Sequence, residues 1–212
     1  MASSSKTLVT KQTLIAFERR VADAFETGLI RAPVHLSGGN EDALIEIFQQ
    51  VRPQDWVFST WRSHYHALLK GIPEDWLWEE ILAGRSMYIE NREHRFLSSS
   101  IVGGVLPIAL GVAMGAKRLG LDERVWCFVG DMTWRTGIAD EVRRYARGHE
   151  LPLRLVNEDN GLSTNTPTAV VWGEAFRGQA AGAVMPFNPG TITYSYERQW
   201  PHVGVGKFVT FG

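Results

Sequence analysis

Apolar residues at Leu14, Phe17, Val21, Phe25 and Leu29 recur at spacings of three and four, with Glu18, Arg19, Arg20 and Glu26 elsewhere on the wheel. This period predicts an amphipathic helix over residues 11–30, with Pro33 marking its exit. Asn40 reads as an N-cap for a second helix lined by Leu44, Ile45, Phe48 and Val51 and closed by Pro53. Val57 and Phe58 suggest a short buried strand. Trp76, Ile81 and Leu82 predict a helix from about Asp75 to Ala83, stopped by Gly84. Residues 85–99 show no period and read as a loop. Leu106 to Leu119 predicts a helix rich in small residues: Ala109, Gly111, Ala113, Gly115 and Ala116. Such a helix lets a neighbour approach closely, either at the heart of the fold or at a subunit contact.

Val125-Trp126-Cys127-Phe128-Val129 is a continuous apolar run between charged and turn-forming flanks. It reads as a buried parallel strand. Thr136 to Arg147 reads as a helix with Gly148 its stop, and Leu153 to Val156 as the next strand. Strand, helix and strand in this order define a right-handed βαβ unit and hence an α/β fold. Late strands are predicted at Thr191–Tyr196 and Lys207–Phe211.

The length of 212 residues allows one compact unit. Within it, residues 1–52 read as an N-terminal helical arm packed on an α/β domain of residues 53–212. The charges nearly cancel, 22 Lys and Arg against 23 Asp and Glu, which excludes nucleic-acid binding driven by bulk positive charge. One cysteine, Cys127, excludes an intrachain disulfide framework and reads as an inert core thiol. No run approaches the roughly 18 apolar residues of a membrane helix. The polar N-terminus lacks an apolar signal core, so the expected location is cytoplasmic. Eight tryptophans fit either a Trp-rich core or a large interface.

Ligands of an open parallel sheet bind outside the carboxyl ends of its strands. Those ends carry Gly130-Asp131 and Asn157-Glu158-Asp159-Asn160-Gly161. If the two strands are neighbours, Asp131 and Asn160 share a rim, and a carboxylate with an amide oxygen suits Mg²⁺. A helix starting near Thr136 adds an N-terminus that favours an anion beside the metal. An Asp at a strand end and an Asn-Gly turn also occur for structural reasons alone, so both readings stay open at this point.

Other segments add to the picture. Gly130-Asp131 is followed 29 positions later by Asn160. The chain also holds Val34-His35-Leu36-Ser37-Gly38-Gly39-Asn40-Glu41, Trp61-Arg62-Ser63-His64-Tyr65-His66 running to Lys70-Gly71, and Ser100-Ile101-Val102-Gly103-Gly104-Val105-Leu106-Pro107. In this order, over about residues 11–165, the segments resemble the alpha chain of thiamine-diphosphate-dependent 2-oxoacid dehydrogenases of the pyruvate and branched-chain type.

The resemblance implies a three-layer, doubly wound, mainly parallel sheet forming a diphosphate-binding domain, with thiamine diphosphate and Mg²⁺ as cofactors. It implies Asp131, the Asn160 side chain and the Leu162 carbonyl as metal ligands. It places His35 and Arg62 at the diphosphate, Trp61, Gly130, Met132 and Thr133 among the other cofactor contacts, and Ser100 and Val102 at the aminopyrimidine. His64 and His66 match the histidines near the reacting face. His94 and His149 have no match and read as surface residues. Trp61 stands where the family has tyrosine, leaving only a ring contact. Met132 replaces the glycine that lets backbone approach the diphosphate, and Asp159 replaces an asparagine. The C-terminal part is abbreviated, with Arg198, Pro201-His202 and Gly204-Val205-Gly206 left to form a rim.

The family's catalytic glutamate lies on a beta-type chain, so the resemblance also implies half of a shared active site. The partner would be a pyrimidine-domain subunit in a hetero-oligomer, expected to be a heterotetramer, and the substrate a 2-oxoacid. Neither nucleic acid nor membrane is an expected partner. The competing reading, favoured by Met132, Asp159 and the short C-terminus, is a degenerate non-catalytic structural or regulatory subunit. A plain Rossmann nucleotide binder is disfavoured, because no Gly-x-Gly-x-x-Gly opens the helix after the 125–129 strand.

Overall fold

The computed structural model describes residues 9–173, 185–186, 190–203 and 210–211. Two helices open the chain: α1 (Lys11–Glu26) and α2 (Glu41–Phe48). Strand β1 (Trp56–Ser59) follows, then α3 (His64–Lys70) and α4 (Glu74–Leu82). The short strands β2 (Glu90–Asn91) and β3 (Phe96–Ser98) lead to α5 (Val105–Arg118) and β4 (Val125–Gly130). Next come α6 (Asp131–Trp134), α7 (Gly137–Gly148) and β5 (Leu153–Asp159). A small hairpin, β6 (Leu162–Ser163) with β7 (Thr166–Pro167), precedes α8 (Thr168–Trp172). The described chain then adds β8 (Met185–Pro186) and β9 (Thr191–Ser195).

Among the described residues, seven strands form one sheet in the order β2-β3-β1-β4-β5-β9-β8. The five central strands run parallel, with β2 and β8 antiparallel at the edges. Alternation along β4 shows why the fold has three layers. Trp126 and Phe128 join a core with α1, α2, α3 and α4 residues such as Leu14, Phe17, Leu44, Tyr65 and Leu77. Val125, Cys127 and Val129 face the other way, onto Leu106, Ala109 and Ala113 of α5 and Val142 and Ala146 of α7. A strand buried on both faces has no polar positions, as the unbroken apolar run of β4 shows. The N-terminal helices thus belong to one of the two helical layers.

Most predicted elements are present, and the differences have local causes. The first helix ends at Glu26, because Thr27 caps it and Gly28 turns left-handed at φ 74. Residues 85–99 hold two short strands; β3 is three residues long and extends β1 in register, Val57 beside Phe96. Gly148 lies inside the last turn of α7, and the left-handed residue beyond it is Glu150, φ 46. Among the described residues, α3 is the one substantial helix that periodicity missed. The predicted strand at 207–211, like the Gly204–Gly206 segment, falls mostly outside the described residues. Cys127 is buried in β4, which pushes its thiol pKa up. His149 is exposed and packs its ring at a tilt against Tyr145, whereas His94 is half-buried and bonds Asn91. Of the tryptophans, Trp126 lies in the core and Trp172 is 42% exposed.

Candidate functional site

Helices after β1 and β4 leave on opposite sides of the sheet, so the switch point lies between these two strands, where a crevice is expected. A narrow cleft opens at that carboxyl end. Its walls come from Ser37 and Asn40 before α2, Thr60-Trp61-Arg62 after β1, and Gly130, Met132 and Thr133 after β4. Glu158, Asn160, Leu162 and Tyr196 complete it from β5, its following turn and the end of β9.

Two carboxylates shape the wall before α2. The Glu18 side chain accepts the Ser37 N–H at 2.9 and 3.0 Å, and Glu41 accepts the Gly39 N–H at 3.1 Å and the Tyr65 hydroxyl at 3.1 Å. Gly39 sits at φ 95 with a Cβ position only 2.1 Å from the Glu197 carbonyl oxygen, so only glycine lets the C-terminal segment pass here. Asn40 does occupy the N-cap position, but its side chain makes no cap bond. It turns instead to Tyr194 Oη, 3.2 Å away, at the foot of the cleft.

Adjacent parallel strands bring the two predicted metal ligands to one rim. The β4–β5 register sets Gly130 beside Glu158, and Asp131 and Asn160 continue from these strand ends. Asp131 is 1% exposed. Its Oδ2 accepts the Thr168 hydroxyl, whereas Oδ1 has no hydrogen-bond partner among the described residues. Burial, opposed by the Thr168 bond and aided by the negative charge of Asp159, pushes the Asp131 carboxyl up to about 6. Asn160 Nδ2 donates to Tyr196 Oη at 3.0 Å, and its Oδ1 accepts the Leu162 N–H at 3.0 Å.

The other predicted groups divide in two. Trp61, Arg62, Gly130, Met132, Thr133, Asn160 and Leu162 all line the cleft. His35 stands beside it, 6.5 Å from Trp61 by ring centroids and stacked at 4.0 Å on His202. Arg62 Nη2 meets His202 Nδ1 at 2.8 Å, and its Nε donates to the Leu36 carbonyl. Burial first, then the neighbouring His202 and Arg62, lower the His35 pKa to about 3; burial, Arg62 and Arg198 lower that of His202 to about 4. Both rings are therefore neutral near pH 7 beside a guanidinium, a surface with room for anionic charge. Trp61 offers more than the expected ring, because its buried Nε1–H has no acceptor among the described residues. The Met132 side chain takes the Trp172 indole N–H on its sulfur at 3.1 Å.

Ser100 and Val102 stay outside the cleft and are exposed, Val102 by 53%. His64 and His66 are fully buried, so they back the cleft wall and do not face its opening. His64 Nε2 meets Ser86 Oγ at 2.9 Å and Nδ1 lies 3.5 Å from Glu18. His66 packs on Phe48 and Phe128, with Nε2 3.2 Å from Glu158 Oε1. Their expected direct part in catalysis has no geometric support here: a ring with no exposed surface meets no substrate. The sequence reading missed Glu18, Glu158, Thr168 and Tyr196, which act through pairings between distant segments. It did single out Arg198 and His202 as rim residues. Arg198 donates to the Thr164 carbonyl at 2.6 Å.

The fold and cleft together define a doubly wound α/β protein with a switch-point crevice that Arg62 lines and the buried Asp131 adjoins in sequence. The chain belongs to the dehydrogenase E1 component family, whose sequence profile matches residues 9–187. It is 31% identical over 161 residues to the alpha subunit of acetoin:2,6-dichlorophenolindophenol oxidoreductase of Bacillus subtilis, covering 71% of this chain and 48% of that one. The corresponding subunit of Cupriavidus necator is 30% identical over 82% of this chain and 56% of its own length. Pyruvate dehydrogenase E1 component subunit alpha-3 of Arabidopsis thaliana is 29% identical over 68% of this chain and 38% of its own. The chain thus spans about half the length of these relatives, or less.

Proposed function

We propose that the chain is the diphosphate-binding, alpha-type subunit of a heteromeric thiamine-diphosphate-dependent enzyme acting on a 2-oxoacid, with Mg²⁺ as its metal. The observation that carries this is the Asp131 carboxylate: buried, one oxygen unpartnered, on the strand end next to Asn160. A buried carboxylate oxygen with no donor fits a cation, and Asp with Asn supplies the hard oxygens Mg²⁺ takes. Asp131, Asn160 and the Leu162 carbonyl would hold the metal. Arg62, Trp61 and the His35–His202 pair would hold the diphosphate oxygens, with charge from Arg62 and hydrogen bonds from the neutral rings.

When bound, thiamine diphosphate supplies a carbon nucleophile and an electron sink for decarboxylation and transfer of the acyl or aldehyde fragment. The role of this chain is to anchor the diphosphate end. Glu18 and Glu41 fix the 37–39 backbone, and through it the wall that carries His35 and Asn40. The glutamate that activates the aminopyrimidine is assigned to a beta-type partner, and the cytoplasm is the expected location. The exposed Ile101, Val102, Val170, Val171 and Trp172 give such a partner an apolar surface.

The second reading, a non-catalytic subunit of the same complex, is favoured by the Met132 side chain on the cleft lining. Thermal unfolding with Mg²⁺ and thiamine diphosphate decides whether the site binds. Ligand at 100 times its dissociation constant adds about 2.7 kcal/mol of stability. Asp131→Ala should abolish that gain, and an undiminished gain removes Asp131 from the metal. Decarboxylation of 2-oxoacids is expected only with a beta-type chain present. Binding without turnover in the reconstituted pair would favour the non-catalytic reading, and turnover by the lone chain would end the shared-site proposal.

A further inference from the structure

We infer that Asp159 is a second acidic ligand of this cation site, and that it lets the chain take a divalent cation in the absence of any diphosphate. The inference rests on the reading of Asp131 and Asn160 as a metal site and extends it to a residue that the family pattern does not use, since that pattern has asparagine there.

The placement comes from strand register. Gly130 pairs with Glu158, so the next residues, Asp131 and Asp159, leave neighbouring parallel strands side by side. Both are buried, 1% and 5% exposed. Asp159 is close enough for its charge to act on Asp131, and Arg135 is close enough to act on both. Asp159 Oδ1 accepts the Gly161 N–H at 3.0 Å, a bond that holds it at the strand end. The independent sign of a missing ligand is Asp131 Oδ1, a buried oxygen with no donor among the described residues.

Charge counting gives the consequence. With asparagine at 159, Asp131 would be the one carboxylate of this pair left to draw a lone cation, with Arg135 opposing it. With aspartate, one more negative charge sits beside Asp131 in a poorly solvated pocket, where charge acts most strongly. The same extra charge opposes a diphosphate. Asp159 should therefore strengthen binding of the bare metal and weaken, or leave unchanged, binding of the metal–diphosphate pair. A purely structural residue would instead weaken both ligands in parallel.

The test uses the full chain, stripped with a chelator and titrated with MnCl₂ alone, then with MgCl₂ plus thiamine diphosphate. Calorimetry and the Mn²⁺ electron-spin signal report binding without reference to activity. The wild-type chain should bind one Mn²⁺ without diphosphate. Asp159→Asn should weaken that binding at least tenfold while holding or tightening binding of the Mg²⁺–diphosphate pair. Asp159→Ser keeps an acceptor for the Gly161 N–H and should behave alike, which guards against a folding artefact. Equal Mn²⁺ affinity in wild type and both variants overturns the inference, as does a parallel loss for both ligands. If bare Mn²⁺ fails to bind while Mg²⁺ with thiamine diphosphate binds, the inference falls and the proposed function stands. If neither binds, both fall.

Discussion

The two ends of the sheet treat buried polar groups in opposite ways. At the amino end, Asp55 is fully buried and fully used. It accepts from the Arg52 N–H at 3.0 Å, the Arg52 guanidinium at 2.9 and 3.1 Å, the Arg124 N–H at 2.9 Å and the Trp126 indole at 3.2 Å. Lys70 closes the same corner on the Arg52 and Pro53 carbonyls. At the carboxyl end, Ser59 Oγ, Ser63 Oγ, Trp61 Nε1, His35 Nδ1, Asn40 Oδ1 and Asp131 Oδ1 are buried without partners among the described residues. Folding rarely leaves such groups unpaired, since each costs about 1–3 kcal/mol. The described residues of one end satisfy one another, whereas those of the other leave donors and acceptors open, as the proposed metal and cofactor would require.

Removing a carboxylate should therefore change stability in opposite directions at the two ends. The larger effect is at Asp55. Asp55→Ala strands the Trp126 and Arg124 N–H groups and leaves the Arg52 guanidinium on Asp122 alone, and should cost about 3 kcal/mol, measured by urea unfolding. Burial alone would raise the Asp55 pKa, but its hydrogen bonds outweigh burial and hold it below the ordinary carboxylate value. Its contribution is thus complete above about pH 4, the unfolded value, and is lost as the pH falls through the folded one. A loss below 1 kcal/mol would mean that the amino end is not a clasp.

At Asp131 the sign reverses. Its carboxyl is raised to about 6, so the folded chain holds a proton that the unfolded chain has released. Stability falls as the pH rises from about 4 to about 6, and the ionised group strains the fold above that. With divalent cations chelated at pH 7.5, Asp131→Asn should raise stability by about 2 kcal/mol, because it removes a buried charge that the fold resists and loses part of the Thr168 bond. Added Mg²⁺ with thiamine diphosphate should stabilise only the wild type. A destabilised Asp131→Asn in chelator would show that the cleft end is as self-sufficient as the other.

How much of this was legible in the sequence follows from what each feature depends on. The apolar run of β4, the period of α7 and the order of the motifs are local, and they gave the parallel core and the rim carrying Asp131 and Asn160. Helix α3 was hidden because His64 and His66 occupy buried positions where period analysis expects apolar residues. Their burial depends on Glu18 and Glu158, from α1 and β5, which no local window joins to them. Trp61 looked like a lost hydroxyl in the sequence, yet in three dimensions its indole N–H lacks an acceptor. The pairings that orient the site, Tyr196 with Asn160 and Thr168 with Asp131, cross 36 and 37 positions and left no sequence signature.

The smallest expected effect tests whether the carboxyl end is also oriented in advance. Asn160 reaches a metal only through Oδ1, and an amide that rotates by half a turn presents its NH₂ group instead. Tyr196 opposes that rotation by accepting from Nδ2, while its own backbone N–H is fixed on the Asp159 carbonyl at 2.9 Å. Partners that orient a ligand are worth up to 10–100-fold in metal affinity, and a neutral bond at a half-buried position belongs at the low end of that range. Tyr196→Phe should weaken Mg²⁺ binding in the presence of thiamine diphosphate by about 3–10-fold. Its melting temperature should stay within about 3 °C of wild type, because the ring and its packing against Tyr194 are kept. Unchanged affinity would mean that the Leu162 N–H alone fixes the amide. A large drop in melting temperature would assign Tyr196 to the fold, on the same footing as Asp55.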